Sequence, residues 1–193
     1  MKQYNLFPTP LWHVNLNDVA YNEKLKNFIL EKSKIKQTVF KTNIDGGWQS
    51  DNLLDEDIFK NLKTQISDYL KNLNLNIKET KYFNLWCNVN YKNSWNVIHN
   101  HGYFHFAIVY YVKMPENSGK LVLRDPRAGF TAHWGTKYAD YIHKLYDQTM
   151  IIELNLKEGD LIIFPGFLDH FVKPSAVDEE RISIALDCAC EYF

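Results

Sequence analysis

Three histidines fall within the stretch HNHGYFH: His99, His101 and His105. His99 and His101 stand two residues apart. At the end of a strand that spacing projects both imidazoles to one side. Neutral imidazole is a good ligand for iron, copper, nickel or zinc. Surface loops also contain histidine pairs, so the pair alone specifies little. Its weight comes from His170, far downstream in GDLIIFPGFLDH, where an apolar strand ends at the Pro165-Gly166 turn just before the histidine. In a closed β-roll such a residue can fold back beside the first pair. Arg181 follows, with Pro174 and an acidic turn between, so the two segments are expected to form a hairpin with Arg181 deeper on the same inner face. A guanidinium there can grip a carboxylate bidentately. A five-carbon dicarboxylate has the reach to chelate a metal with its other end.

The elements that must position these residues divide the chain in two. DVAYNEKLKNFILEKSKIKQ places Val19, Leu25, Phe28, Ile29 and Leu30 along a helical stripe. LDEDIFKNLKTQISDYLKNL places Leu54, Ile58, Leu62, Ile66 and Leu70 at intervals of four, with acids in the first turn. IDGGWQS reads as a turn between them. From Tyr82 onward the period changes to two. YFNLWCNVNY, HFAIVYYVKM, KLVLRDP, TMIIELNL, DLIIFP, DHFVKP and RISIALDCACEYF read as short strands, which suggests a β-sandwich or jelly roll. In RISIALDC the even positions Ile182, Ile184, Leu186 and Cys188 call for burial under helices. The odd positions Arg181, Ser183, Ala185 and Asp187 are small or polar, as a pocket lining would be. The expectation is a single domain, 1–193, mainly β with flanking helices. Helical support spans 19–75 and a β core 82–193.

The whole chain sets bounds on partners. Its 193 residues are 46% hydrophobic and 15% aromatic, enough for one proper core. The net charge of −1 and the absence of a basic patch give no clear nucleic-acid signal. No apolar run approaches the roughly 20 residues that span a bilayer. The N-terminus lacks the apolar stretch of a signal peptide. Cys87, Cys188 and Cys190 are odd in number and lie in apolar runs, so they read as reduced core thiols and the compartment as cytoplasmic.

HxH…H…RxS on a strand-rich C-terminal half resembles the Fe(II)/2-oxoglutarate-dependent oxygenases. The likeness is specific for a group found in bacteria and phages, with an opening like LFPTPLW, a GGWQS stretch, then HNH…YYV…SG…DPR and FP…H…ER-S. Those features run from Leu6 to Ser183. The resemblance implies a double-stranded β-helix, or jelly roll, on one sheet of which the two N-terminal α-helices read from the periodicity are expected to pack. It implies Fe(II) as cofactor, 2-oxoglutarate as cosubstrate, and hydroxylation of an unidentified small-molecule or macromolecular substrate with release of succinate and CO2. His99 matches the first histidine of the family's HxD/E pair and His170 the distal histidine. Arg181 and Ser183 match the residues that hold the distal carboxylate of 2-oxoglutarate. Tyr111 matches a tyrosine that bonds the same carboxylate in prolyl-hydroxylase-like members, with Tyr110 the alternative if a bulge shifts the register.

The sequence departs from the family where the motif has Asp or Glu and this chain has His101. His101 itself can be the third ligand, which is the preferred reading. Asp125 or Asp169 can supply a carboxylate instead, or water can take the place. Fe²⁺, dianionic 2-oxoglutarate and three imidazoles sum to zero charge, which a buried site tolerates. His105, beside an aromatic strand, is a reserve candidate as ligand or as support behind one. Arg127, Asn88 and Trp134 are candidates for substrate contact. Two rival functions remain on the residues alone: a cupin-like metalloenzyme without 2-oxoglutarate, which has no need of Arg181-x-Ser183, and a non-catalytic jelly-roll binding module.

Overall fold

The computed structural model describes residues 2, 7–35, 43–44, 46–127 and 150–193. Chain order begins with β1 (Trp12–Asn15), α1 (Val19–Ile35), β2 (Asn43–Ile44) and β3 (Trp48–Gln49). A 3-10 turn at Asp57–Phe59 runs into α2 (Lys60–Lys71). Then come β4 (Ile77–Asn90), β5 (Trp95–His99), β6 (Phe106–Lys113), β7 (Leu121–Arg124), β8 (Ile151–Glu153), β9 (Asp160–Pro165), β10 (His170–Val172) and β11 (Arg181–Tyr192). The strands form two antiparallel sheets, ordered β1-β9-β6-β11-β4-β3 and β2-β5-β10-β7-β8. Among the described residues the protein is therefore mainly β with two α-helices, consistent with a jelly roll. The GGWQS segment read as a turn contributes the short strand β3 after its glycines.

Local chemistry accounts for these elements. Asp18 caps α1: its Oδ1 accepts the Tyr21 N–H at 2.9 Å. Leu62, Ile66 and Leu70 of α2 are fully buried one turn apart, as the spacing of four demands. They share one apolar cluster with Leu25 and Ile29 of α1, Leu85, Cys87 and Val89 of β4, and Ile182, Ile184, Leu186 and Cys188 of β11. Val19 leaves the expected α1 stripe and is exposed, because it precedes the first buried turn. A second apolar cluster lies on the opposite face of the six-stranded sheet and holds Ala107, Val109, Tyr111, Leu121, Leu123, Ile162, Phe164 and Val172. It joins the two sheets and walls the site.

The hairpin expected between the His170 and Arg181 segments does not form. β10 has only three residues and both its edges are occupied, by β5 and β7. β11 pairs instead with β4 and β6 in the other sheet. His170 and Arg181 thus approach the same space from facing sheets.

Candidate active site

The small sheet supplies the imidazoles. β5 and β10 are neighbours, and His99 is the register partner of His170. The chain leaves β5 at His99, so His101 sits in the following loop. The loop is held to the Pro165-Gly166 turn by the His101 N–H donating to Gly166 O at 2.7 Å and the Gly166 N–H donating to His105 O at 3.1 Å. Position 166 must be glycine for this approach: a Cβ there would lie 2.2 Å from Phe104 O. Ring centroids are 4.3 Å apart for His99 and His170, 5.0 Å for His101 and His170, and 5.5 Å for His99 and His101. Each histidine offers a ligand atom within 4.8 Å of the others, and among the described residues no other group of three or more His, Cys, Asp or Glu does so.

The rings are oriented from behind. His99 Nδ1 lies 2.7 Å from Val97 O, and His170 Nδ1 lies 2.9 Å from Leu168 O. His101 Nδ1 hydrogen-bonds Oδ1 of Asp187. All three partners are acceptors, so each Nδ1 carries the proton and each Nε2 presents a bare lone pair. The Nε2 atoms of His101 and His170 face each other at 3.2 Å. Two lone pairs so placed repel unless a cation lies between them. A divalent ion about 2.1 Å from each of two imidazole nitrogens, at right angles, holds them about 3.0 Å apart, so the donor set fits a metal. Burial lowers the pKa of His99, and burial with the two neighbouring imidazoles pulls His170 down to about 3. The indole of Trp86 stacks on His101 at 5.5 Å.

The large sheet supplies the polar floor. Arg181, Ser183 and Ala185 of β11 line the cavity with the three histidines, Trp86, Asn88, Asn96 and Tyr111, against apolar walls of Val109, Leu121 and Val172. Arg181 is 1% exposed. Burial pulls its guanidinium below its ordinary pKa, with Tyr111 opposing. No carboxylate of the described residues pairs with it, and its Nε has no hydrogen-bond partner. Its guanidinium carbon sits 5.1 Å from the Tyr111 ring centre. The Tyr111 hydroxyl is also buried without a partner, and burial pushes its pKa up. A lone buried cation is costly unless an anion reaches it. A dicarboxylate with one end on Arg181 and the other toward the imidazoles meets that need, so these residues fit 2-oxoglutarate.

The remaining candidates separate clearly. Tyr110 lies on the helix side of β6, where its hydroxyl donates to Asn22 Oδ1 at 2.5 Å. Asp125 and His105 lie outside the imidazole group. The Asp125 carboxylate is taken by Arg127, at 2.5 Å to its Nη2 and 2.8 Å to its backbone N–H. His105 Nδ1 accepts the Cys190 N–H at 3.0 Å, which fixes the ring to β11. Asp169 accepts from Asn100 Nδ2 at 2.8 Å. Arg127 is therefore engaged with Asp125, whereas Asn88 lines the cavity with its Oδ1 buried and unpartnered. Trp134 lies outside the described residues. The sequence places Asp187 on the pocket-facing side of β11 but does not reveal its bond to His101. The signal available was its odd position on β11, in line with Arg181 and Ser183.

Residues 84–187 match the family described as "Putative 2OG-Fe(II) oxygenase" (2OG being 2-oxoglutarate). No curated protein matches the chain. Solved structures share the fold at low identity. The non-heme alpha ketoglutarate dependent epimerase SnoN from nogalamycin biosynthesis aligns with a TM-score of 0.71 at 12% identity, covering 94% of this chain and 76% of its own. The viral collagen prolyl hydroxylase of Paramecium Bursaria Chlorella virus-1, a 2OG complex, gives 0.63 at 11%, covering 92% and 94%. HygX from Streptomyces hygroscopicus, with nickel and 2-oxoglutarate bound, gives 0.65 at 11%, covering 96% and 84%. With more than half its length matched by the family and its three imidazoles disposed to hold iron, the chain belongs to the 2OG-Fe(II) oxygenases, non-haem iron enzymes that use 2-oxoglutarate.

Proposed function

We propose that this protein is a dioxygenase that hydroxylates its substrate, with His99, His101 and His170 holding Fe(II) through Nε2 and Arg181 holding the distal carboxylate of 2-oxoglutarate. Ser183 and Tyr111 join Arg181 at that carboxylate. One observation carries the reading: a fully buried guanidinium, without a carboxylate partner among the described residues, shares a cavity with three convergent imidazoles. The chain acts as one domain, 1–193, with a double-stranded β-helix braced by α1 and α2 on its larger sheet. The three unpaired, buried thiols support a cytoplasmic setting.

The bound Fe(II) and 2-oxoglutarate supply oxygen activation coupled to oxidative decarboxylation, so that substrate C–H, O2 and 2-oxoglutarate become C–OH, succinate and CO2. The protein supplies orientation and exclusion of water. Val97 O, Leu168 O and Asp187 keep the Nδ1 protons in place and leave Nε2 free. Val109, Leu121 and Val172 close the cavity around the cosubstrate. Trp86 and Asn88 line it on the substrate's side, and Arg127 and Trp134 remain candidate substrate contacts. The substrate is a small molecule or a peptide. Related folds are known with hygromycin B, in HygX, and with a peptide fragment, in the Trichoplax adhaerens prolyl hydroxylase. Arg181 favours this reading over a cupin-like enzyme that uses no dicarboxylate, and the converging Nε2 atoms favour it over a binding module.

Anaerobic reconstitution with Fe(II) followed by addition of 2-oxoglutarate and air tests the proposal. Succinate should form with wild-type protein and fall to background in Arg181→Ala. Wild-type protein that takes up neither Fe(II) nor 2-oxoglutarate would overturn it.

A further inference from the structure

His101 differs from its two companions in what stands behind it. His99 and His170 direct Nδ1 at neutral backbone carbonyls. His101 directs Nδ1 at a carboxylate, Oδ1 of Asp187. Both side chains of the pair are nearly buried, 5% and 7% exposed. The second oxygen of Asp187 accepts from Asn84 Nδ2 at 2.8 Å. Asn84 and Asp187 are register partners on β4 and β11. The register shifts immediately beyond them, so that Cys188 pairs with Tyr82 and Phe83 is the extra residue of a bulge. A bulge there re-aims side chains. Phe83 stands half-exposed against Phe104, at 5.2 Å between centroids, next to the His101 loop.

His101 is also the residue that stands where the family's motif has Asp or Glu. We propose that Asp187 is a positioning residue that fixes the His101 tautomer and returns to the iron, through the imidazole, the negative charge that the missing carboxylate ligand would have given. This rests on the reading of His101 as a ligand. A carboxylate that accepts an imidazole N–H makes the opposite nitrogen a stronger donor and holds the ring plane. In a site from which water is excluded, a charge one ring away from the metal is weakly screened. The centre then has three imidazole ligands and the overall charge of two imidazoles and a carboxylate.

Asp187→Asn isolates the charge. The amide has the shape of the carboxylate and can accept from His101, while the Asn84 amide turns over to restore its own bond. Full-length, metal-free protein is titrated anaerobically with Co(II) as probe, and the Fe(III)/Fe(II) midpoint potential is measured on iron-loaded protein. Asp187→Asn should weaken Co(II) binding about 10- to 100-fold and raise the midpoint potential, because the lost negative charge had favoured Fe(III). His101→Ala should weaken Co(II) binding further. Wild-type affinity and potential in Asp187→Asn, together with loss of binding in His101→Ala, overturns the role of Asp187 and leaves the ligand reading intact. Wild-type Co(II) affinity in His101→Ala overturns both. A measurement on wild-type protein does not depend on how the variant folds. In Zn(II)-loaded, 15N-histidine-labelled protein, the His101 Nδ1 proton should resonate downfield of those of His99 and His170. A His101 proton on Nε2, or one level with the other two, overturns the proposal.

Discussion

Ser183 on β11 stands directly across from Tyr111 on β6, and the next pair along, Ile184 and Tyr110, points to the other side of the sheet. Adjacent tyrosines therefore face different environments. One hydroxyl is buried beside a guanidinium with no partner. The other is bonded to Asn22 beneath α1.

This pair separates binding from stability. Tyr111→Phe should raise the Kd for 2-oxoglutarate about tenfold or more, the worth of one hydrogen bond to a charged group, and leave the melting temperature of the metal-free protein near wild type. Tyr110→Phe should leave that Kd unchanged and cost about 1 kcal/mol of stability. Calorimetric titration and chemical unfolding of both variants check the contrast.

Arg181 trades stability for binding. Arg181→Met replaces a buried cation, with which no carboxylate of the described residues pairs, by an apolar chain of similar length. The metal-free, cosubstrate-free protein should become more stable by about 1 kcal/mol or more, while binding of 2-oxoglutarate is lost. Urea unfolding together with a succinate assay measures both effects.

Gly166→Ala should be severe. The new Cβ meets the carbonyl of Phe104, a backbone atom that cannot move aside alone. The loop bearing His101 is tied to the same turn. The variant should lose about 2 kcal/mol or more of stability and bind Co(II) more weakly than wild type, as read by thermal melts with and without the ion.

Asp160 gives a pH signature separate from the His99, His101 and His170 cluster. Burial alone would raise its pKa, but bonds from Asn15 Nδ2, the Lys157 N–H and His13 outweigh burial and hold it below its ordinary value of 3.8. A carboxyl depressed on folding contributes stability above its unfolded pKa and loses that contribution as pH falls through its folded one. Wild type should therefore exceed Asp160→Asn in unfolding free energy at a pH of about 5, and the gap should close below 3.8. A series of urea melts across that range checks the sign.

Much of the site was legible in the sequence because it depends on parity. The alternation of β11 separates Arg181 and Ser183 from the apolar positions that meet the helices. The same alternation distinguishes Tyr111 from Tyr110. The HxH spacing and His170 pointed to a common ion, and the imidazoles converge. What escaped depends on pairings that no local pattern encodes. The sheet to which β10 belongs is decided by β5 and β7 competing for its two edges. The bond between His101 and Asp187 joins a loop to a distant strand in the other sheet. Asp125 is committed by a short-range turn contact to Arg127 two residues on, a pairing that the sequence leaves open and the backbone decides.

β11 has 12 residues, and over its first half alternate positions go to the cavity (Arg181, Ser183, Ala185) and to the helix-packed core (Ile182, Ile184, Leu186). Inserting or deleting one residue near its start would drive a guanidinium into hydrocarbon and isoleucines into the cosubstrate space. Evolution can therefore exchange side chains along this strand one face at a time, but it cannot change the strand's length by a single codon without losing catalyst and scaffold together.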